Sequence, residues 1–257
     1  MGVWVAVGVI ALGIILSGGE AWAQETALKL MTLRVTTFQE NPRQVTHGPD
    51  SIASMILGEG RGTQPHLVGL RGVRDSAWVE GLIGSLNRSL APEQSTYVTW
   101  LTGGGTAGNH LAILSLFPLS WFEDLSLRPE GPKVLYGVLD ARGRAIHALV
   151  VGSEASRQGK DYRERIPGEL WVGRLVDRIL LREPEAWVVI MGDLDPDRLM
   201  VRAGRSDSLR CLIRGKGRNV EAGSILVGLR EEILVREDGT ASPPMGAHGA
   251  WVSISLR

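Results

Sequence analysis

One cysteine, Cys211, occurs in 257 residues, so no intramolecular disulfide can form, and Cys211 reads as a small buried apolar residue. Net charge is missing as well. The 28 basic and 28 acidic side chains cancel, so no global field draws the chain to nucleic acid or an anionic membrane. That removes the simplest electrostatic argument for a DNA binder, although it leaves room for a local basic groove. The triple glycine Gly103-Gly104-Gly105 is followed by no Gly-Lys-Ser/Thr, which excludes a phosphate-cradling P-loop and leaves a flexible loop. No linker or internal repeat divides the chain. No Lys or Arg precedes Lys29.

What is present is a large apolar fraction, 44%, enough for one large domain or two small ones with a sizeable core. Val3 to Leu16 is almost wholly apolar, Ser17-Gly18-Gly19-Glu20 breaks the run, and Ala21-Trp22-Ala23 offers small residues two apart. This is the pattern of a signal peptide over residues 1–23, cut between Ala23 and Gln24, which makes the mature protein secreted or periplasmic. The run is short for a spanning helix, but the missing basic n-region keeps an uncleaved N-terminal membrane anchor as the alternative.

The mature part opens with a strand pattern from Leu28 to Phe38, with one break in its alternation. Asp50 is placed to cap a helix through Met55-Ile56-Leu57, and Asp75 to start a second with Trp78, Leu82, Ile83 and Leu86 on one face. Short strands are expected at 65–70, 96–101 and 111–115. Lys133 to Asp140 and Ala145 to Val151 flank Ala141-Arg142-Gly143-Arg144 as a hairpin. Pro167 suits the first turn of a helix carrying Leu170, Trp171, Leu175, Val176 and Ile179, which ends before Pro184. Strands at 224–229, 232–236 and 250–256 complete one α/β or α+β domain over residues 28–257, with two β-sheets packed together.

The centre of the pattern is Trp187 to Met191, five apolar residues that read as a strand buried on both faces, followed at once by Gly192, Asp193 and Asp195. Carboxylates at such a strand end suit metal or phosphate chemistry, and equally serve as turn formers. The run Asp193-Leu194-Asp195-Pro196-Asp197 alternates carboxylates as some Ca²⁺ loops do, but lacks the glycine and the distal glutamate. Of the histidines, His47 and His110 fall in loops and read as exposed. His66 and His147 border strands and read as structurally satisfied.

Five blocks taken in order resemble the endonuclease/exonuclease/phosphatase superfamily, with its deoxyribonuclease-I-like fold. Arg34-Val35-Thr36-Thr37-Phe38 looks like its first strand, and Val68-Gly69-Leu70-Arg71-Gly72-Val73 is similar to its V-x-x-L-Q-E-V strand. Ala112 to Leu119 resembles A-I-L-S-R-x-P-I, Val188 to Asp195 the G-D-x-N strand, and Ala247-His248 the closing S-D-H. The resemblance implies two sheets between helical layers, a four-layer sandwich with its site at one rim. It also implies Mg²⁺-dependent cleavage of phosphate esters, with oxygen ligands on the metal and an Asp-oriented His.

Carried across by position, most of that site is altered. The family asparagine after the first-strand Phe falls on Gln39, which keeps an amide with a longer reach. The metal-binding glutamate falls on Gly72 and the histidine after the hairpin on Gly152. Asp193 is kept, while the asparagine two residues on becomes Asp195, an anion that repels phosphate. The acidic residue of the penultimate motif falls on Gly223 and the terminal aspartate on Ala247, beside a retained His248. Glu40, Asn41, Glu154 and Glu221 stand near the emptied positions in sequence, and Tyr162 follows a loop, Arg157 to Lys160, that reads as solvated.

Losing one oxyanion-stabilising donor costs about 10²–10³ in rate, and losing the aspartate that orients a histidine about 10⁴ in the serine-protease case. Together with the lost glutamate, this points to a secreted, catalytically degenerate descendant that keeps the scaffold and a binding role, with no cofactor. The alternative is an active Mg²⁺-dependent phosphodiesterase, nuclease or phosphatase whose rebuilt site uses Asp193, Asp195, His248 and Gln39, with Asp193 and Asp195 as weak metal ligands. A phosphate ester or nucleic acid is a partner only in that alternative. A protein partner suits the binding role.

Overall fold

A computed structural model describes residues 27–35, 48–58, 64–92, 94–103, 110–125, 133–141, 143–152, 168–184, 186–192, 209–213, 224–228, 233–241 and 248–256, the last four segments as backbone. In chain order these form β1 (Ala27–Arg34), α1 (Pro49–Gly58), β2 (Leu67–Val73), α2 (Ser76–Ser89), β3 (Thr99–Gly103), β4 (His110–Ser115), β5 (Leu119–Asp124) and β6 (Lys133–Ala141). There follow β7 (Arg144–Gly152), α3 (Gly168–Arg182), β8 (Trp187–Gly192), β9 (Leu209–Ile213), β10 (Ser224–Gly228), β11 (Ile233–Ala241) and β12 (His248–Leu256).

The strands make two mixed six-stranded sheets, ordered β11-β12-β1-β2-β4-β3 and β5-β6-β7-β8-β10-β9. Alternation explains how they stack. In β1, Leu28 and Leu30 enter one core while Met31, Leu33 and Val35 enter another, so the strand is apolar on both faces and its alternation breaks at residue 31. The first core lies between the sheets: Leu28, Leu30, Leu67, Leu111 and Ile113 meet Leu135, Ile146, Val150, Val189 and Met191. The second joins the outer face of the first sheet to α1 and α2 through Ile52, Ile56, Trp78, Leu82 and Leu86. The third joins the outer face of the other sheet to α3 through Val172, Val176 and Ile179. Four layers result, helices outside and sheets within. The sheets pack tightly at Gly69, where a Cβ would stand 2.9 Å from Val150 Cγ2 and 3.1 Å from Met191 Cε.

Asp75 caps α2, its carboxylate accepting from the Trp78 backbone N–H at 2.7 Å, and that bond holds its pKa below the usual carboxylate value. Asp50 departs from the sequence expectation. Pro49 takes the first helical position, so Asp50 lies inside the first turn of α1, where its carboxylate accepts from Ser85 Oγ of α2. The short helix is thereby fastened to its neighbour. β5 and β9 had no legible pattern in sequence; β5 is an edge strand, exposed from Ser120 to Asp124, so burial never imposed alternation on it. His110 is not in a loop. It is the first residue of β4 and is half-buried.

One polar chain, buried at Tyr136 and His147, braces the second sheet against α3. The Tyr136 hydroxyl lies 2.6 Å from His147 Nδ1, and His147 Nε2 lies 3.1 Å from the Glu183 carboxylate just past α3. Burial, then the Glu183 and Glu123 carboxylates, push the Tyr136 pKa from 10 to about 12. Nδ1 is paired with the tyrosine hydroxyl and Nε2 with the Glu183 carboxylate. Tyr136→Phe leaves the buried Nδ1 without its partner and is expected to cost about 1–3 kcal/mol in urea denaturation. The unfolded tyrosine ionises first, so this contribution is intact below about pH 10 and fades toward pH 12. The deficit of the variant should shrink over that window.

Candidate active-site rim

Parallel pairing puts the C-terminal ends of neighbouring strands at one edge. In the first sheet Arg34 is in register with Arg71, and β12 runs antiparallel so that His248, its first residue, pairs with Arg34. β4 begins at the same level, His110 pairing with Val73 and Leu111 with Arg71. In the second sheet Val151 is in parallel register with Gly192, Lys133 pairs with Gly152, and Ser224, the first residue of β10, pairs with Gly192. A Cβ on Gly152 would stand 2.8 Å from Leu111 Cδ2, so these two strand-end rows meet across the gap between the sheets.

Three of the family positions fall within the described residues, Gly72, Gly152 and the backbone of His248, and all three lie on this rim. Gln39, Asp193, Asp195, Gly223 and Ala247 lie outside the described residues, as do Glu40, Asn41, Glu154, Glu221 and Tyr162. Asp193 directly follows Gly192, Gly223 directly precedes Ser224, and Ala247 directly precedes His248. The rim itself is therefore their point of departure.

The rim glycines are built into the backbone and the core. Gly72 has φ +77°, at the point where the β2–β4 register shifts between Arg71 and Val73. A β-bulge with a left-handed residue suits glycine and strains a glutamate placed there. At Gly152, the room a histidine would need is filled by Leu111, itself only 1% exposed. Gly192 has φ +129°, and a Cβ there would stand 2.0 Å from the Val151 carbonyl oxygen. Only glycine lets the chain leave β8 by this route.

The charged groups brought to this rim were not singled out from the sequence. Alternation from Leu28 and Leu30 puts Arg34 on the inter-sheet face, and alternation from Leu67 and Gly69 puts Arg71 beside it. Lys133 shares that face of its own sheet with Leu135 and Leu139. Arg71 is 2% exposed and Lys133 4%, while Arg34 is half-buried. Burial first, and then the charge of Arg34, lower the Arg71 pKa to about 9. The one available signal was basic residues inside apolar strand patterns: Lys29 and Arg34 in β1, Arg71 in β2 and Lys133 in β6. Among the described residues no group of three or more His, Cys, Asp and Glu is placed to hold a metal ion. The described side chains at the rim do not fit Mg²⁺: it wants an octahedron of oxygens, and they offer guanidinium, ammonium and bare glycine.

Gly152→Ala should therefore cost about 1–3 kcal/mol by overpacking against Leu111. Combined with Leu111→Ala it should cost clearly less than the sum of the single changes, with a coupling of about 1 kcal/mol or more in denaturant titrations. Gly192→Ala meets backbone rather than a side chain, so it should cost more than Gly152→Ala, and no side-chain truncation should rescue it.

No family model matches the sequence, and no curated protein does. Solved structures do match. The chain is similar to the endonuclease/exonuclease/phosphatase from Bacteroides vulgatus, at 12% identity and TM-score 0.62 over 91% of this chain and 100% of that one. It is similar to truncated TDP2 of Caenorhabditis elegans, at 13% identity and TM-score 0.61 over 89% and 98%. It is also similar to the human Nocturnin catalytic domain with bound sulfate anion, at 12% identity and TM-score 0.59 over 91% and 97%. Identity this low speaks to architecture, and the architecture is the deoxyribonuclease-I-like sandwich found in endonuclease/exonuclease/phosphatase proteins.

Proposed function

We propose that this protein is a catalytically degenerate descendant of the endonuclease/exonuclease/phosphatase superfamily, exported by its residues 1–23, that keeps the sandwich as a binding scaffold. The observation that carries the reading is the filled space at Gly152. A position that had merely lost a side chain would leave a cavity, whereas the room beside Gly152, where the resemblance puts a histidine, is taken by Leu111 Cδ2, 2.8 Å from where a Cβ would lie. The left-handed backbone at Gly72 and the buried cations Arg71 and Lys133 support the same reading, because each opposes a divalent metal at this rim. Asp193 and Asp195, two residues apart in sequence and without a carboxylate at Gly72 or Ala247, are a weak pair for an ion that gives up its waters reluctantly.

Export is the second half of the proposal. It rests on the apolar run and the Ala21-Trp22-Ala23 site, and N-terminal sequencing of protein from its host should begin at Gln24. Intact Met1 in a membrane fraction would favour the anchor instead. Among the described residues no helix is long and apolar enough to cross a membrane.

Catalysis and metal are tested together. A ligand at a hundred times its dissociation constant adds about 2.7 kcal/mol, or roughly 5–10 °C in a domain of this size. Millimolar Mg²⁺ is expected to give no such rise. Plasmid DNA and simple phosphodiesters should be hydrolysed no faster than by the Asp193→Ala variant. Metal-dependent turnover abolished by Asp193→Ala would establish a rebuilt active site in place of the degenerate one.

A further inference from the structure

The second sheet ends in β5, which pairs with β6 on one side and, among the described residues, with no strand on the other. An open edge offers a row of N–H and C=O groups to any further strand, and proteins ordinarily blunt it with Lys, Pro or a bulge. β5 carries no Lys or Pro. It carries Trp121 and Phe122 in succession, 47% and 58% exposed. Its register with β6 shifts between Leu119 and Trp121, then runs unbroken from Trp121 to Asp124.

That register decides which way the two rings point. Trp121 pairs with Val138 on the α3 side of the sheet, and its ring meets the Tyr136 ring edge-on at 5.2 Å. Phe122 pairs with Gly137, which by alternation takes the inter-sheet side with Leu135 and Leu139. The exposed Val98 precedes β3, the edge strand of the first sheet, which meets β5 where Gly103 lies against Asp124. One side of the sandwich thus carries Val98, Trp121 and Phe122. A bilayer takes aromatics that point one way, and Glu123 and Asp124 beside these two repel an anionic surface, so a lipid occupant fits poorly.

A second β5 fits well. Two copies related by a two-fold axis perpendicular to the sheet pair antiparallel, and residues opposite one another share a face. An axis through Phe122 sets Phe122 opposite its own copy, Trp121 opposite Glu123 and Ser120 opposite Asp124. Each carboxylate then faces an uncharged residue, and the indole N–H is a donor on the same face as the Glu123 carboxylate. An axis through Glu123 would oppose like charges, and one through Trp121 runs into the register shift.

We propose that β5 is a self-association edge through which two copies of this chain join their second sheets into one continuous sheet. This surface is separate from the rim, and its assignment does not rest on the non-catalytic reading.

The test is the mass in solution of protein produced in its host, followed by sedimentation equilibrium across a concentration series. A strand pair is a small interface, so a dimer is expected with micromolar affinity. Phe122→Lys and Phe122→Glu each set like charges opposite one another and remove the ring pair, and each should weaken association about ten- to a hundred-fold. Mixed together, the two variants set opposite charges across the axis and should associate at least about tenfold more tightly than either alone, which a misfolded chain would not do. Leu181→Lys, which changes the exposed leucine at the end of α3, should leave the dimer unchanged. A monomer at every concentration up to about 1 mM would overturn the proposal. So would a dimer indifferent to both Phe122 variants, or a mixture no tighter than its components. A monomer that binds phosphatidylglycerol vesicles, and loses them with Trp121→Ala, would replace the second copy with a lipid surface.

Discussion

Two twisted sheets pressed face to face are the constraint on which the rest of this molecule depends. Their shared core is built from the even positions of β1 and the corresponding faces of β2, β4, β6, β7 and β8, with glycine where a side chain from the facing sheet leaves no room for a Cβ. At native packing density a gap of even one methyl group loses contact energy, so each position facing the interface is fitted to its neighbour across it. Gly69 against Val150 and Met191, and Gly152 against Leu111, are two instances of that fit, one in the core and one at its rim. The helices α1, α2 and α3 seal the outer faces and bear less directly on the site.

That fit decides what the rim can hold. At Gly152 the room a side chain would need is taken by Leu111, so a histidine placed there overpacks the core. The glycine at position 72 is locked differently, through a backbone conformation that a side chain strains.

The charge distribution follows from the same geometry. The inter-sheet gap narrows the dielectric around any group at its mouth, so charge placed there acts over longer range than on an open surface. A chain with zero net charge can still bury cations such as Arg71 and Lys133 near one sheet edge, which global composition does not reveal. Deeper in the second sheet, the Tyr136–His147–Glu183 chain handles buried polarity in the opposite way, by satisfying each ring nitrogen of the histidine within the protein.

The sequence by itself determined the elements with strong periodicity or strong punctuation. The apolar run of β8, the hairpin of β6 and β7, the face of α2 behind its Asp75 cap and the two-sheet class were all legible, because burial and local hydrogen bonding act residue by residue. β5 was not, because an exposed edge strand is under no such patterning, and Asp50 was misassigned because Pro49 competes for the helix start. Position by position, the likeness to a known family also named Gly72 and Gly152 as emptied places. What only the tertiary structure decided is what stands around those places. That Arg34 lies beside Arg71, that Leu111 fills the space at Gly152 and that Lys133 pairs with Gly152 in the second sheet depend on register and on contact between strands far apart in the chain. Side-chain alternation says which face a residue takes, but only the pairing of strands and the stacking of sheets says what it meets there.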